Sequence, residues 1–157
     1  MATGTGKNAE AVYNRIKKVL MEDSELRTYG MKIFDGLREN VLDTELPCLL
    51  LNIKEVDESE IVSDAPFVVE VVMRLEILGF LQVFDTNRQQ WIGERKGKGL
   101  FRMVSDVKKA FETDLFLNTT AEFFKFGKAS VVDGYPTKGF SLDMEIHWME
   151  SQQLRLR

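Results

Sequence analysis

Apolar and polar residues alternate most regularly between Phe67 and Phe84. Val69, Val71, Met73, Leu75 and Ile77 fall on one face of an extended chain. Glu70, Arg74 and Glu76 fall on the other, with Val72 and Leu78 among them. A period of two with β-branched residues predicts a strand with one face against a core. The stretch is longer than an average strand, so it either projects beyond its sheet or bends near Gly79. The apolar pair on the charged face predicts that something covers part of that face.

The same alternation returns near the end of the chain. Phe140, Leu142, Met144, Ile146 and Trp148 interleave with Ser141, Asp143, Glu145, His147 and Met149. Glu122 to Val132 precedes this stretch across an Asp133-Gly134-Tyr135-Pro136 turn, so the two read as an antiparallel pair. Pro47 to Ile53 reads as a strand opened by proline, where no ladder donor is needed. Met31 to Phe34 can form a short strand between Gly30 and Gly36. Two segments change to helical spacing. Asn8 caps the first, whose Val12, Ile16, Val19 and Leu20 share a face and which should end between Met21 and Asp23. In the second, Leu100, Val104, Val107 and Phe111 form a stripe flanked by Met103 and Ala110. Arg102 and Lys109 point away, and the helix should end near Thr113 or Asp114. The expectation is one α+β domain over residues 1–157: a mainly antiparallel sheet of about four strands, two helices on one face, and long loops at the sheet rim. Residues 1–7 read as flexible and 151–157 as a polar, basic tail.

Two charged segments interrupt this plan. Glu55 to Ala65 carries Glu55, Asp57, Glu58, Glu60 and Asp64 around Ile61 and Val62, and reads as an acidic loop or arm closed by Pro66. Asp85 to Gly99 collects Arg88, Arg95, Lys96 and Lys98. Over 157 residues the net charge is −4, which argues against a protein whose main task is gripping nucleic acid. Cys48 is the only cysteine, so no intramolecular disulfide can form, which fits a reducing compartment. The first residues lack the apolar core of a signal peptide, and no apolar run is long enough to span a membrane. Asn118-Thr119-Thr120 reads as a turn. A soluble intracellular protein is expected.

Candidate chemistry is sparse. Gly93-Glu-Arg-Lys-Gly-Lys-Gly is one residue short of P-loop spacing and has Gly99 where the magnesium-binding hydroxyl belongs, so it reads as a basic hinge before a helix. His147 is the only histidine and reads as a surface residue among Asp143 and Glu145. Cys48, at the start of a buried strand, reads as an inert core thiol. The carboxylates from Glu55 to Glu60 lack calcium-loop spacing. No catalytic, cofactor-binding or metal-binding residue is assigned, and no cofactor is expected. Strands longer than a small core requires, with charged segments attached, point to a subunit whose working surface forms by assembly. Glu55, Asp57, Glu58 and Glu60 on one side, and Arg88, Arg95, Lys96 and Lys98 on the other, are the candidate interface residues, as complementary surfaces of a closed assembly.

In its order of elements the chain resembles the tail terminator, or tail-completion, proteins of long-tailed bacteriophages. The resemblance covers roughly residues 8 to 150. It rests on the N-terminal helix, Glu45-Leu46-Pro47-Cys48-Leu49-Leu50-Leu51 entering a strand, the charged segment, and the long strand Phe67 to Val83. It continues with the helix Leu100 to Asp114 and the final pair ending Phe140-Ser-Leu-Asp-Met-Glu-Ile-His-Trp-Met. The resemblance implies a structural virion protein, not an enzyme, that forms a ring, usually a hexamer. Such a ring caps the tail tube protein, stops polymerisation and meets the head–tail connector or stopper protein. DNA passes through its lumen without sequence-specific binding. Location in the virion tail or neck, and in host cytoplasm during assembly, follows. The segment Asp85 to Gly99 is longer than the family needs, which leaves open another neck or tail-tube component. The alternatives from other classes are a small α+β ligand-binding protein or enzyme, which needs a pocket of convergent polar groups, and a nucleic-acid adaptor using the basic segment.

Overall fold

The computed structural model describes residues 8–37, 41–60, 68–81, 91–92, 99–112, 114, 117, 121–133 and 138–151. The expectations for 1–7, Ile61 to Pro66, the Gly93-to-Lys98 stretch, Asn118 to Thr120, Gly134 to Pro136 and 152–157 lie outside these residues.

Helix α1 (Ala9–Glu22) starts where Asn8 Oδ1 accepts the Ala11 N–H at 2.8 Å, and it buries the apolar face read from its spacing, Val12, Ile16, Val19 and Leu20. Asp23 ends α1 and caps the single turn α2 (Ser24–Arg27) by accepting from the Leu26 N–H. Strand β1 (Lys32–Asp35) follows between Gly30 and Gly36, both at positive φ. A 3₁₀ turn (Asp43–Glu45) leads to β2 (Cys48–Glu60) and then β3 (Val68–Phe80). Helix α3 (Leu100–Ala110), β4 (Phe123–Val132) and β5 (Gly139–Ser151) complete the order.

The fold is α+β, with a five-stranded sheet in the order β1-β2-β3-β5-β4. Four of the strands are the long ones read from the pattern, and the short strand read at Met31 to Phe34 is also present. The fifth is β1, which pairs parallel to Cys48–Leu51 and makes an otherwise antiparallel sheet mixed. The centre is the β3–β5 ladder, which runs from Val68 opposite Ser151 to Phe80 opposite Gly139 without a slip. Strand β3 therefore neither bends at Gly79 nor projects beyond its neighbours. Helix α3 is shorter than expected: it closes at Phe111, where the Phe111 N–H donates to the Lys108 carbonyl and the Glu112 N–H to the Lys109 carbonyl. The Phe111 ring is held in the core by edge-on contacts with Phe124 and Phe126, and Asp114 is turned toward Arg15 at 2.7 Å.

One hydrophobic cluster joins the buried residues of all three helices to alternate residues of β3 and β5: Val69, Val71, Met73, Leu75 and Ile77 with Phe140, Leu142, Met144, Ile146 and Trp148. Tyr29 donates to the buried Asp106 at 2.7 Å, which satisfies a carboxylate inside this layer and raises the tyrosine pKa, first through burial and then through that bond. A second, smaller cluster on the other face contains Cys48, Leu50, Leu78 and Phe80 under Val41 and Leu46. It accounts for the apolar residue Leu78 on the charged face and for the buried thiol.

Where the two clusters meet, the chain pairs glycine with aromatic residues reciprocally. Gly79 lies opposite Phe140, and Phe80 opposite Gly139. A Cβ on Gly79 would stand 2.2 Å from the Phe140 ring, and one on Gly139 would stand 2.5 Å from the Phe80 ring. Each ring thus occupies the space over a missing side chain. Gly79→Ala should cost about 1–3 kcal/mol, the range for overpacking a filled core. With Phe140→Leu in the same chain, the two losses should be less than additive. Urea unfolding of the two single variants and the double variant measures this, and strict additivity would contradict the contact.

Candidate functional site

The polar face of the sheet carries a cross-strand charge network centred on Arg74. Arg74 Nη1 donates to Glu55 Oε1 and Asp57 Oδ2, both at 2.7 Å, and its Nε lies 3.3 Å from Glu145 Oε1. Glu145 also meets Lys125 at 3.2 Å and His147 Nε2 at 2.9 Å. The other ring nitrogen of His147 lies 3.3 Å from Glu70, and the ring stacks on Phe123 with centroids 4.2 Å apart. Farther along, Asn52 and Ser141 each donate to Glu76, at 2.8 and 2.9 Å. These contacts follow from the register. Arg74 lies opposite Glu55 on one side and Glu145 on the other, and Lys125 lies opposite Glu145. Glu145 is held below the usual carboxylate range, first by the hydrogen bond to His147 and then by Lys125. Arg74 is held more firmly in its charged form by Asp57 and Glu55.

The first part of the expected acidic loop, as far as Glu60, is strand. Glu55, Asp57, Glu58 and Glu60 all belong to β2, paired opposite Arg74, Val72, Val71 and Val69. A bulge between Ile53 and Glu55 breaks the period-two pattern at this point. Beyond it, Glu55 and Asp57 share the face of Arg74, whereas Glu58 alternates to the opposite face. A charged strand is stable here because β3 supplies the ladder and the carboxylates of Glu55, Asp57 and Glu58 face solvent or Arg74. The basic candidates Arg88, Arg95, Lys96 and Lys98 lie outside the described residues. Arg102 and Lys109, expected to continue that surface, are exposed on α3, with Arg102 3.8 Å from Asp106.

Pattern reading missed Arg74, Lys125 and Glu145 as a group, because what joins them is register across three strands. The available signal was a lone arginine between glutamates on the outer face of β3. The reading of His147 as an open surface residue is corrected: its side chain is 16% exposed, covered by Phe123 and flanked by two carboxylates.

A shallow depression of about 240 Å³ opens on this face beside Gly127, among Lys54, Arg74, Lys125, Asp143 and Glu145. Each cation there is turned onto a carboxylate, with Lys54 3.9 Å from Asp143, so the fixed charges largely cancel within the wall. Among the described residues, no group of three or more His, Cys, Asp or Glu is arranged to hold a metal ion. No described helix is long and apolar enough to cross a membrane.

Among the described residues the sheet is also open at both sides. β1 borders β2 only from Cys48 to Leu51, and no described strand lies beside β2 beyond that point or outside β4. On the core-side face of the uncovered part of β2, Ile53 and Val56 are 44% and 41% exposed, although their partners Leu75 and Met73 are buried.

The low pKa of Glu145 has a signed consequence. A carboxylate whose folded pKa is depressed stabilises the fold above its unfolded pKa, and that contribution is lost as pH falls through the folded value. The urea midpoint of the unmodified chain should exceed that of Glu145→Gln near neutral pH. The gap should close as pH falls below about 4.3, the ordinary glutamate pKa. A gap that does not change with pH would contradict the assignment.

No protein-family model matches the chain and no curated protein matches it, so the functional reading rests on the geometry and charges described above.

Proposed function

We propose that the chain is a ring-forming structural subunit of a phage tail: a tail terminator that caps the tail tube, stops its growth and joins it to the head connector or stopper. The observation that carries this reading is the uncovered flank of β2 past the end of β1. β2 stays paired to β3 as far as Glu60 opposite Val69, and while the core-side residues of β3 are buried, Ile53 and Val56 of β2 are left exposed on the same face. In a monomer those side chains face water. A neighbouring subunit would remove them from it, and burial of apolar area is the main favourable term in association. The order of elements that carried the resemblance supports the same reading.

The charge of the sheet agrees with a lumen that passes DNA. On its polar face Glu55, Asp57, Glu70, Glu76, Asp143 and Glu145 outnumber Lys54, Arg74 and Lys125. Excess negative charge repels phosphate, so a duplex would slide past such a face rather than be held by it. The reading needs no cofactor and no catalytic group. It puts the protein in the neck of the virion, and in host cytoplasm during assembly.

The test is tail-tube growth. Added to polymerising tube protein, the chain should form rings at tube ends and truncate the length distribution, as seen by negative-stain microscopy. Tubes of unchanged length with bare ends would contradict the reading. Tubes that incorporate the chain along their length would make it a tube component instead.

A further inference from the structure

Among the described residues the sheet has two open edges, and they carry opposite charge. The edge of β2 beyond Leu51 presents Glu55, Asp57 and Glu58; Lys54 on the same edge is drawn onto Asp143, and Arg74 is shared between Glu55 and Asp57. The outer strand β4 presents Lys125 and Lys128, both exposed. Each edge is interrupted by a bulge, between Ile53 and Glu55 and between Phe126 and Ala129. Each also carries exposed apolar residues, Ile53 and Val56 on β2 and Phe123 and Val131 on β4. Bulges and edge lysines deter indiscriminate strand pairing. Here they deter it selectively: β4 against β4 brings lysines together, β2 against β2 brings carboxylates together, and β4 against β2 brings opposite charges together.

We propose that these edges pair with each other between copies, the outer edge of β4 docking antiparallel on the Ile53–Asp57 edge of β2 in the next copy. The direction follows from the topology. β2 is antiparallel to β3, β3 to β5 and β5 to β4, so β4 runs opposite to β2. Rotation about a ring axis lying along the strands preserves those directions, so β4 meets the neighbour's β2 as an antiparallel strand. The two patches differ from each other, so the contact is head-to-tail and closes only as a ring. The β1 strand limits where docking occurs, because it already occupies β2 from Cys48 to Leu51. Pairing uses backbone donors and acceptors for affinity, while Lys125 and Lys128 against Glu55 and Asp57 select the partner edge. The inference deepens the ring reading and depends on it.

Two measurements test it. The first uses the unmodified chain: hydrogen exchange is followed as concentration is raised through assembly, with light scattering reporting size. Amides within Phe123–Val132 and Ile53–Asp57 should slow by about tenfold or more on assembly, as edge groups gain partners. The second introduces Lys125→Cys with Glu55→Cys or with Asp57→Cys, leaving the buried Cys48 in place, and oxidises the rings. At least one pair should give a covalent ladder that ends at the ring size, whereas Arg102→Cys with Asp57→Cys should give none. Rings that form with unchanged exchange in both segments and no β4–β2 cross-link would overturn the edge pairing and leave the ring reading intact. A chain that stays monomeric at every concentration would overturn both.

Discussion

The β3–β5 ladder is the constraint on which the other features depend. Its thirteen-residue strands pair end to end with no bulge, while the strands flanking it, β2 and β4, each carry one. Because side chains alternate with a period of two, a one-residue slip would move Val71, Met73 and Leu75 out of the core and bring Glu70, Arg74 and Glu76 into it. The register is therefore fixed by burial, and the reciprocal Gly79–Phe140 and Phe80–Gly139 contacts pin its end. Arg74 beside Glu145, Glu76 beside Ser141 and His147 beside Glu70 are all consequences of that one alignment.

The outer strands relax what the centre fixes. The bulge in β2 turns Glu55 and Asp57 toward Arg74, and the bulge in β4 falls beside Gly127, where the sheet opens a shallow depression. Individually, exposed ion pairs of this kind contribute little to stability. Their arrangement has more effect on selection than on folding. Carboxylates gather at the β2 edge and lysines at the β4 edge of one sheet, so a single chain presents two different surfaces that suit each other. Two unlike surfaces that suit each other give head-to-tail contacts, which a ring requires and a two-fold dimer does not.

Much of this was legible in the pattern of residues. α1, β3 and β5 keep a constant period over their whole length, so their elements and inner faces could be read directly. Leu78 on the charged face correctly signalled a cover, which Val41 and Leu46 supply. β2 was legible only to Ile53. Past that residue the bulge shifts the alternation by one position and the side chains are acidic, so a paired strand has the composition of a loop. β1 is four residues long and is stabilised by Cys48–Leu51 rather than by any periodicity of its own. The Arg74 network could not be read, because it joins residues of four strands and exists only once the registers are known. For the same reason, the oppositely charged edges become visible only when strand order is known.

Native mass spectrometry of the full chain tests the central claim most directly, because it separates closed from open assembly in one spectrum. The account predicts one dominant oligomer, six chains by the resemblance to tail terminators, with no ladder of larger species as concentration rises. A spectrum that holds only the single chain, or an unbroken series of ever longer oligomers, would contradict it.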